Sequence, residues 1–176
     1  MRSWIPVPGT TTGRLVVAAL DLFGPQGFAP VGVAGIAERA GVTTGSLYHH
    51  FGSKAGLYQL VRADVEQRVV DRLEGAAAAR PVRTVADLAP VLTVGYDYVV
   101  DRGFTRLLGE PAPEPADGGA APDPIQQLLG RMVSGDDAPV ETLIAAAWRA
   151  ALWHAGSGPD AAREARAALV RLLTGA

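Results

Sequence analysis

The sequence predicts an all-α fold, on three observations. Apolar residues recur at three- and four-residue spacing in segment after segment from Leu15 to Leu173, as helices with one buried face require. No stretch of useful length alternates apolar with polar residues as a half-buried strand does, and no segment repeats another. Between Ile36 and Lys54, the residues Ala37, Gly41 and Leu47 stand at the offsets of a helix-turn-helix. That motif needs a small side chain where two helices cross, a turn residue free of Cβ strain, and an apolar anchor on the second helix. With 176 residues, 48% of them hydrophobic, the chain is long enough for one larger domain or two small ones sharing a helix.

Residues 1–11 read as a flexible arm, with Trp4, Pro6 and Pro8 but no apolar run of signal-peptide length. Thr12 or Gly13 opens the first helix, whose stripe is Leu15, Ala18, Ala19, Leu22 and Phe23. Gly24, Pro25 and Gly27 end it, and Phe28 returns to the stripe as an anchor. After the second helix, Gly41 makes the turn, Val42 folds back into the small core, and Thr43 takes the N-cap position of the third helix. That helix spans about Thr44 to Phe51, with Leu47 and Phe51 inward at i and i+4. Its other face carries Thr44, Ser46, Tyr48, His49 and His50, rich in hydrogen-bonding groups and poor in fixed charge, which suits groove contact and phosphate positioning on a DNA duplex.

Ser53 caps a long fourth helix with Leu57, Leu60, Val61, Val65 and Val69 buried and Arg62, Asp64, Glu66, Arg68, Asp71 and Arg72 interleaved. It runs into Leu73 or the alanines beyond, and Pro81 prevents continuation. In the next helical pattern, either Thr84 is the cap and Pro90 kinks the helix, or Asp87 is the cap and Pro90 lies in the first turn. Phe104, Leu107 and Leu108 suggest a short helix, and 110–124 reads as a loop rich in proline and glycine. Asp123 or Pro124 starts a brief helix, stopped by Ser134, Gly135 and two aspartates. Pro139 to Ala155 and Asp160 to Thr174 close the chain as amphipathic helices with Ala-rich faces, suited to an intersubunit four-helix bundle.

There are no cysteines, which excludes disulfides and thiolate metal sites, and no apolar stretch approaches the ~20 residues of a membrane span, so a soluble cytoplasmic protein is expected. The net charge of -2 divides unevenly: residues 1–56 hold Arg2, Arg14, Arg39 and Lys54 against Asp21 and Glu38. That basic footprint has the sign a DNA-binding head needs, but it is small. Neighbouring side chains such as Tyr48, His49 and His50 do not converge on one metal, and His154 beside Trp153 reads as a surface or capping histidine. No nucleophile elbow, phosphate-cradling glycine loop or metal-ligand spacing occurs, so neither an enzyme nor a cofactor is expected.

Leu-Tyr-His-His-Phe-Gly-Ser-Lys at 47–54, preceded by Ile-Ala-Glu-Arg-Ala-Gly-Val-Thr, resembles the N-terminal domain of the TetR family of transcriptional regulators. Upstream, Ala18 to Phe23 followed by Gly27-Phe28 is similar to that family's first helix and exit turn. The likeness covers roughly 12–60. It departs at Val31 and Gly32, where the family usually has a capping Thr or Ser, and at Gly35, where a polar helix former is common. Gly56 stands where a Glu would complete a capping box after Ser53.

The chain is thus expected to divide into the arm, a three-helix DNA-binding head at 12–56, and a helical effector-binding and dimerisation domain at 57–176. The DNA-contacting set is Arg14, Thr43, Thr44, Gly45, Ser46, Tyr48, His49, His50 and Lys54. Tyr96, Phe104, Met132, Trp148 and Trp153 are candidates to line a pocket for an apolar or aromatic effector; aromatics at helical spacing also serve simply as core. One short recognition helix spans few base pairs, so the expected partner is a second copy, with two heads about 34 to 36 Å apart on an inverted-repeat operator. The resemblance implies repression relieved by a small-molecule effector. A same-fold regulator without an effector is the first rival, and an enzyme using the C-terminal cavity the second.

Overall fold

The structure, a computed structural model, describes residues 9–111, 113, 122–133 and 139–175. Most of the expected arm, most of the 110–124 loop and the stop at Ser134 to Asp137 lie outside the described residues. Within them the chain forms nine α-helices and one 3₁₀ turn.

Helix α1 (Thr11–Gln26) opens slightly earlier than the apolar stripe indicates, because the Thr10 side-chain oxygen accepts the Gly13 N–H at 3.0 Å. Leu15, Ala18, Ala19 and Phe23 are buried as expected. Gly24 and Pro25 do not stop the helix. A Cβ on Gly24 would stand 2.7 Å from the Gly103 carbonyl oxygen, so the missing side chain lets α1 lie against the turn at Gly103. Gly27, at φ 80°, makes the actual exit, and Phe28 stacks back on Phe23 at 6.3 Å.

Helices α2 (Val33–Ala40) and α3 (Thr44–Phe51) form the expected motif. At the start of α2, Gly32 provides no side-chain cap. The long α4 (Lys54–Ala79) extends about 39 Å at 1.5 Å per residue, from the head into the C-terminal domain. Ser53 caps it by accepting the Gly56 N–H at 2.9 Å. Gly56 is more than a missing capping-box partner: a Cβ there would meet the Phe51 carbonyl oxygen at 2.4 Å, so the tight α3–α4 turn requires glycine.

Both readings of the α5 entrance hold in part. The Asp87 carboxylate accepts the N–H groups of Arg83 and Thr84 and the Thr84 hydroxyl, fixing a 3₁₀ turn over Val85–Asp87. Helix α5 (Leu88–Asp101) then begins with Pro90 in its first turn, where no N–H is required. A Schellman arrangement closes it, with Gly103 N–H on Val100 O and Phe104 N–H on Val99 O. The short α6 (Thr105–Gly109) crosses α8 closely: a Cβ on Gly109 would come 2.5 Å from the Trp153 backbone nitrogen. Helices α7 (Pro124–Met132), α8 (Val140–Ala155) and α9 (Pro159–Thr174) complete the domain, α7 packing on α4 and α8, and α9 on α5 and α8.

Part of the polar row interleaved along α4 is buried. Tyr58 is fully buried and Arg62 only 6% exposed. Arg62 Nη1 donates to the carbonyls of Leu107 and Glu110 at 2.7 and 2.8 Å, and its Nε to Glu66 at 3.1 Å. From α8, Arg149 donates to the Leu108 carbonyl at 2.8 Å, to the same Glu66 oxygen at 2.9 Å and to Asp123 at 2.9 Å. Two guanidinium groups thereby satisfy carbonyls at the end of α6 that the helix leaves without partners. Through its other oxygen, Asp123 caps α7.

Two expectations follow. Gly35 is exposed with nothing within 4 Å of an added Cβ, so Gly35→Ala should stabilise the fold by about 0.5–1 kcal/mol, whereas Gly56→Ala should cost about 1–3 kcal/mol. Urea unfolding that moves both variants in one direction would contradict this reading of the two glycines. Replacing Arg149 by Leu leaves Glu66 and Asp123 short of a partner in a largely buried setting and should cost about 3 kcal/mol; a loss below about 1 kcal/mol would mean that the network contributes little.

Candidate nucleic-acid interface

The motif is built from local rules. Gly41 adopts φ 64° and ψ 40°, the left-handed region, and the N–H groups of Gly41 and Val42 bond to Glu38 O and Ala37 O at 3.0 Å each. This Schellman closure sets the direction in which α3 leaves. The Thr43 hydroxyl then accepts the Ser46 N–H at 3.3 Å and lies 3.1 Å from the Ser46 hydroxyl, capping α3.

Because side chains four apart share a line on a helix, α3 presents four rows. Leu47–Phe51 is the inward row, Leu47 fully buried and Phe51 packed against the core. The rows Thr44–Tyr48, Gly45–His49 and Ser46–His50 face outward. Thr43, Thr44, Gly45, Tyr48, His49 and His50 are exposed, Tyr48 to 53%, and Ser46 is half-buried beside its cap. The imidazoles of His49 and His50 lie edge to face with centroids 5.1 Å apart. The structure thus brings the α3 members of the expected set onto one open surface. It is a surface of hydroxyl, phenol and imidazole groups.

The head's cations are distributed differently. Arg14 is exposed on α1 and makes no ion pair among the described residues. Arg39 is engaged, with its Nη2 2.7 Å from Asp21. Lys54 was expected at a phosphate, yet its Nζ donates to Phe28 O at 2.9 Å and Val31 O at 3.0 Å and stands 4.0 Å over the Phe28 ring. Two of its three donors therefore hold the α1–α2 turn. One signal for this was available: Lys54 is the single lysine of the chain, every other fixed positive side chain being arginine.

Tyr58 is the other missed residue. Its ring packs edge-on against Phe23 and Phe28 at 5.0 and 5.1 Å, and its hydroxyl donates to Glu110 at 2.7 Å. Burial, and then that carboxylate, push the Tyr58 hydroxyl far above the ordinary phenol range, so it stays a neutral donor. It stands four residues before Arg62 and eight before Glu66, on one line of α4, a spacing that a solvated helix face shares.

The five expected effector contacts line neither of two clefts found among the described residues. Tyr96 and Trp148 are core: the Tyr96 hydroxyl donates to Ala162 O at 2.7 Å, and the Trp148 indole N–H to Leu92 O at 3.1 Å. Burial, with Asp97 nearby, pushes the Tyr96 hydroxyl up to about 12. Phe104 packs beside Tyr98, Met132 is half-buried, and Trp153 lies exposed under the Arg106 guanidinium at 4.0 Å. One cleft, about 680 Å³, runs between α8 and α9 and is lined by Ala147, Ala151, His154, Leu169 and Leu172 among others. The second, about 430 Å³, lies beside α7 and includes Asp123, Gln126 and Glu141. No helix among the described residues is long and apolar enough to cross a membrane.

Comparison with known proteins agrees with this architecture. The family model described as bacterial regulatory proteins, tetR family, matches residues 15–61. The chain is 40% identical over 75 residues to the HTH-type transcriptional activator FasR of Mycolicibacterium smegmatis, a match covering 43% of this chain and 32% of that protein. The match therefore spans about a third of that relative's length. A TetR-family transcriptional regulator from Pectobacterium atrosepticum superposes with a TM-score of 0.63 at 23% identity, covering 94% of this chain and 93% of that one. RolR in complex with resorcinol superposes with a TM-score of 0.53 at 22% identity, covering 93% and 87%. Helix-turn-helix geometry and family match agree over residues 15–61, which carry the DNA-binding domain of the tetR family of bacterial regulatory proteins, and the whole chain shares the all-helical fold of a solved TetR-family regulator.

Proposed function

We propose that this chain regulates transcription as a homodimer whose two heads read an inverted-repeat operator in successive major grooves. The observation that carries the reading is the outer surface of α3, three rows of hydrogen-bonding side chains on a helix capped at Thr43 and anchored by Leu47. Within it Thr44, Gly45 and His49 are assigned to base edges, and Thr43, Ser46, Tyr48, His50 and Arg14 to phosphates. The spare donor of Lys54 joins the phosphate set only as far as its grip on the α1–α2 turn permits. Dimerisation is supported by the α8–α9 surface, where Leu143 and Leu172 are 65% and 66% exposed and alanines permit close helix approach. Repression is the default action that the family implies. FasR is named an activator, so a reporter assay reads the sign directly.

An effector is the finer part of this proposal. RolR, of the same fold, binds resorcinol, which supports a phenolic or similarly small aromatic ligand here, held in the C-terminal domain. An effector of this kind releases the operator only by favouring the conformation that cannot span it. The satisfied, buried Tyr96 and Trp148 favour the alternative that no effector is used. A thermal-shift screen with small phenols decides between the two: stabilisation that grows with ligand concentration is expected, and a flat response across the series would favour the effector-free regulator.

Selection from random duplexes should yield a two-fold-symmetric site. On that site Tyr48→Ala should weaken binding by a similar factor across sequence variants, while changes at Thr44 or His49 should alter preference at particular base pairs by about 1–3 kcal/mol. The reverse assignment, with Tyr48 changing preference and Thr44 or His49 leaving it untouched, would overturn these roles.

A further inference from the structure

We propose that Glu110 is a positioning residue for DNA recognition, fixing the angle of the head on the C-terminal domain and so the spacing at which paired heads meet the duplex. This inference rests on the dimeric, inverted-repeat reading above. The Glu110 carboxylate stands at the end of α6, 82 residues along the chain from Phe28 and 52 from Tyr58. Its Oε1 accepts the Phe28 backbone N–H at 2.6 Å and the Tyr58 hydroxyl at 2.7 Å. Gly27, at φ 80°, brings the backbone onto this group so closely that a Cβ would lie 2.5 Å from Oε2. The backbone that carries this carboxylate is held from behind, because Arg62 donates to the Glu110 carbonyl at 2.8 Å and to Leu107 O at 2.7 Å.

The α1–α2 turn is therefore gripped from two sides that have different consequences. Lys54, together with the Phe23, Phe28 and Tyr58 rings, ties the turn to the start of α4 and belongs to the head's own packing. Glu110 ties the same turn to α6 in the other domain. Removing the carboxylate leaves the first grip intact, so the head remains folded on α4 while its orientation relative to the C-terminal domain loosens. A loosened pair of heads still reads each half-site. What it loses is the preference for one separation between half-sites.

The test uses the full chain and a duplex selected from a random library by the wild type. Glu110→Ala, and Glu110→Asp as the variant that retains charge but withdraws the carboxylate, are compared with wild type on the full site, on a single half-site, and on sites with one or two base pairs inserted at the centre. Full-site affinity is expected to fall about tenfold, the scale of one charge-assisted hydrogen bond, with half-site affinity changed by less than about twofold. Altered-spacing sites, rejected by wild type, should approach the variants' own full-site affinity, while Glu110→Gln, which keeps an acceptor at Oε1, should preserve more of the spacing preference than Glu110→Ala. Parallel loss on half-site and full site, or an unchanged spacing preference in either folded variant, would overturn the role of Glu110 alone. A wild type that selects no two-fold-symmetric duplex overturns the dimeric reading, and this inference with it.

Discussion

The Arg62 guanidinium is the constraint from which the rest of the arrangement follows. A buried cation must find acceptors at defined positions, and on α4 it finds Glu66 one turn along and the carbonyls of Leu107 and Glu110 at the end of α6. Apolar packing is tolerant of small slides, whereas these bonds are directional. They set where α6 stops, and Arg149 repeats the device from α8 while sharing Glu66. Such networks are weak grounds for claiming extra stability over an apolar core of the same shape, because desolvation of the charges offsets much of their attraction. Their contribution here is register among α4, α6, α7 and α8. Among the described residues no buried side-chain nitrogen or oxygen is left without a hydrogen-bond partner, so the arrangement is complete rather than half-satisfied.

The head was legible in the sequence because its rules are local. Thr43, Gly41, Ser53 and the Leu47–Phe51 pair each act within a few residues, and each does what its spacing indicates. The missed residues act across long separations: Lys54 bonds 26 and 23 residues back, Tyr58 49 and 52 residues ahead, and Arg149 reaches Glu66 across 83. Nothing in the composition of the row Tyr58, Arg62, Glu66 distinguishes it from a solvated helix face with an i,i+4 ion pair. Glycines failed in a related way. Gly24 reads as a helix stop and Gly56 as a missing cap partner, yet both answer to an atom that a Cβ would strike, a steric fact invisible to spacing rules. Trp148 and Tyr96 read equally as pocket or core, and only their bonds to Leu92 and Ala162 decide for core in this conformation.

The engagement of Arg39 and Lys54 bears on recognition. With Arg39 and Lys54 engaged, few cations among the described residues of the head are uncommitted, so in the proposed mode of binding counterion release contributes less and the oriented hydrogen-bonding groups of α3 contribute more. Oriented contacts are worth most when the helix that carries them is held rigidly, since each misplaced donor forfeits its bond. Weak electrostatics and a firmly clamped α1–α2 turn therefore belong together: the second compensates for the first.

Helix α6 is where that firmness is most exposed to change. Five residues form too few turns to be helical in isolation, so α6 exists because Arg62 and Arg149 satisfy its terminal carbonyls and because Gly109 lets it press against α8. A structure maintained wholly by tertiary contacts responds to any shift in the elements supplying them. Two of those suppliers, α4 and α8, each span the C-terminal domain, and Glu110 at the end of α6 touches the backbone of the head directly. A displacement of α8 against α4 by even a fraction of a hydrogen-bond length has to be absorbed either by breaking the Arg149–Glu66–Arg62 chain or by moving α6. Since the first leaves buried charge unpaired, the second is the softer path, and it leads straight to Phe28.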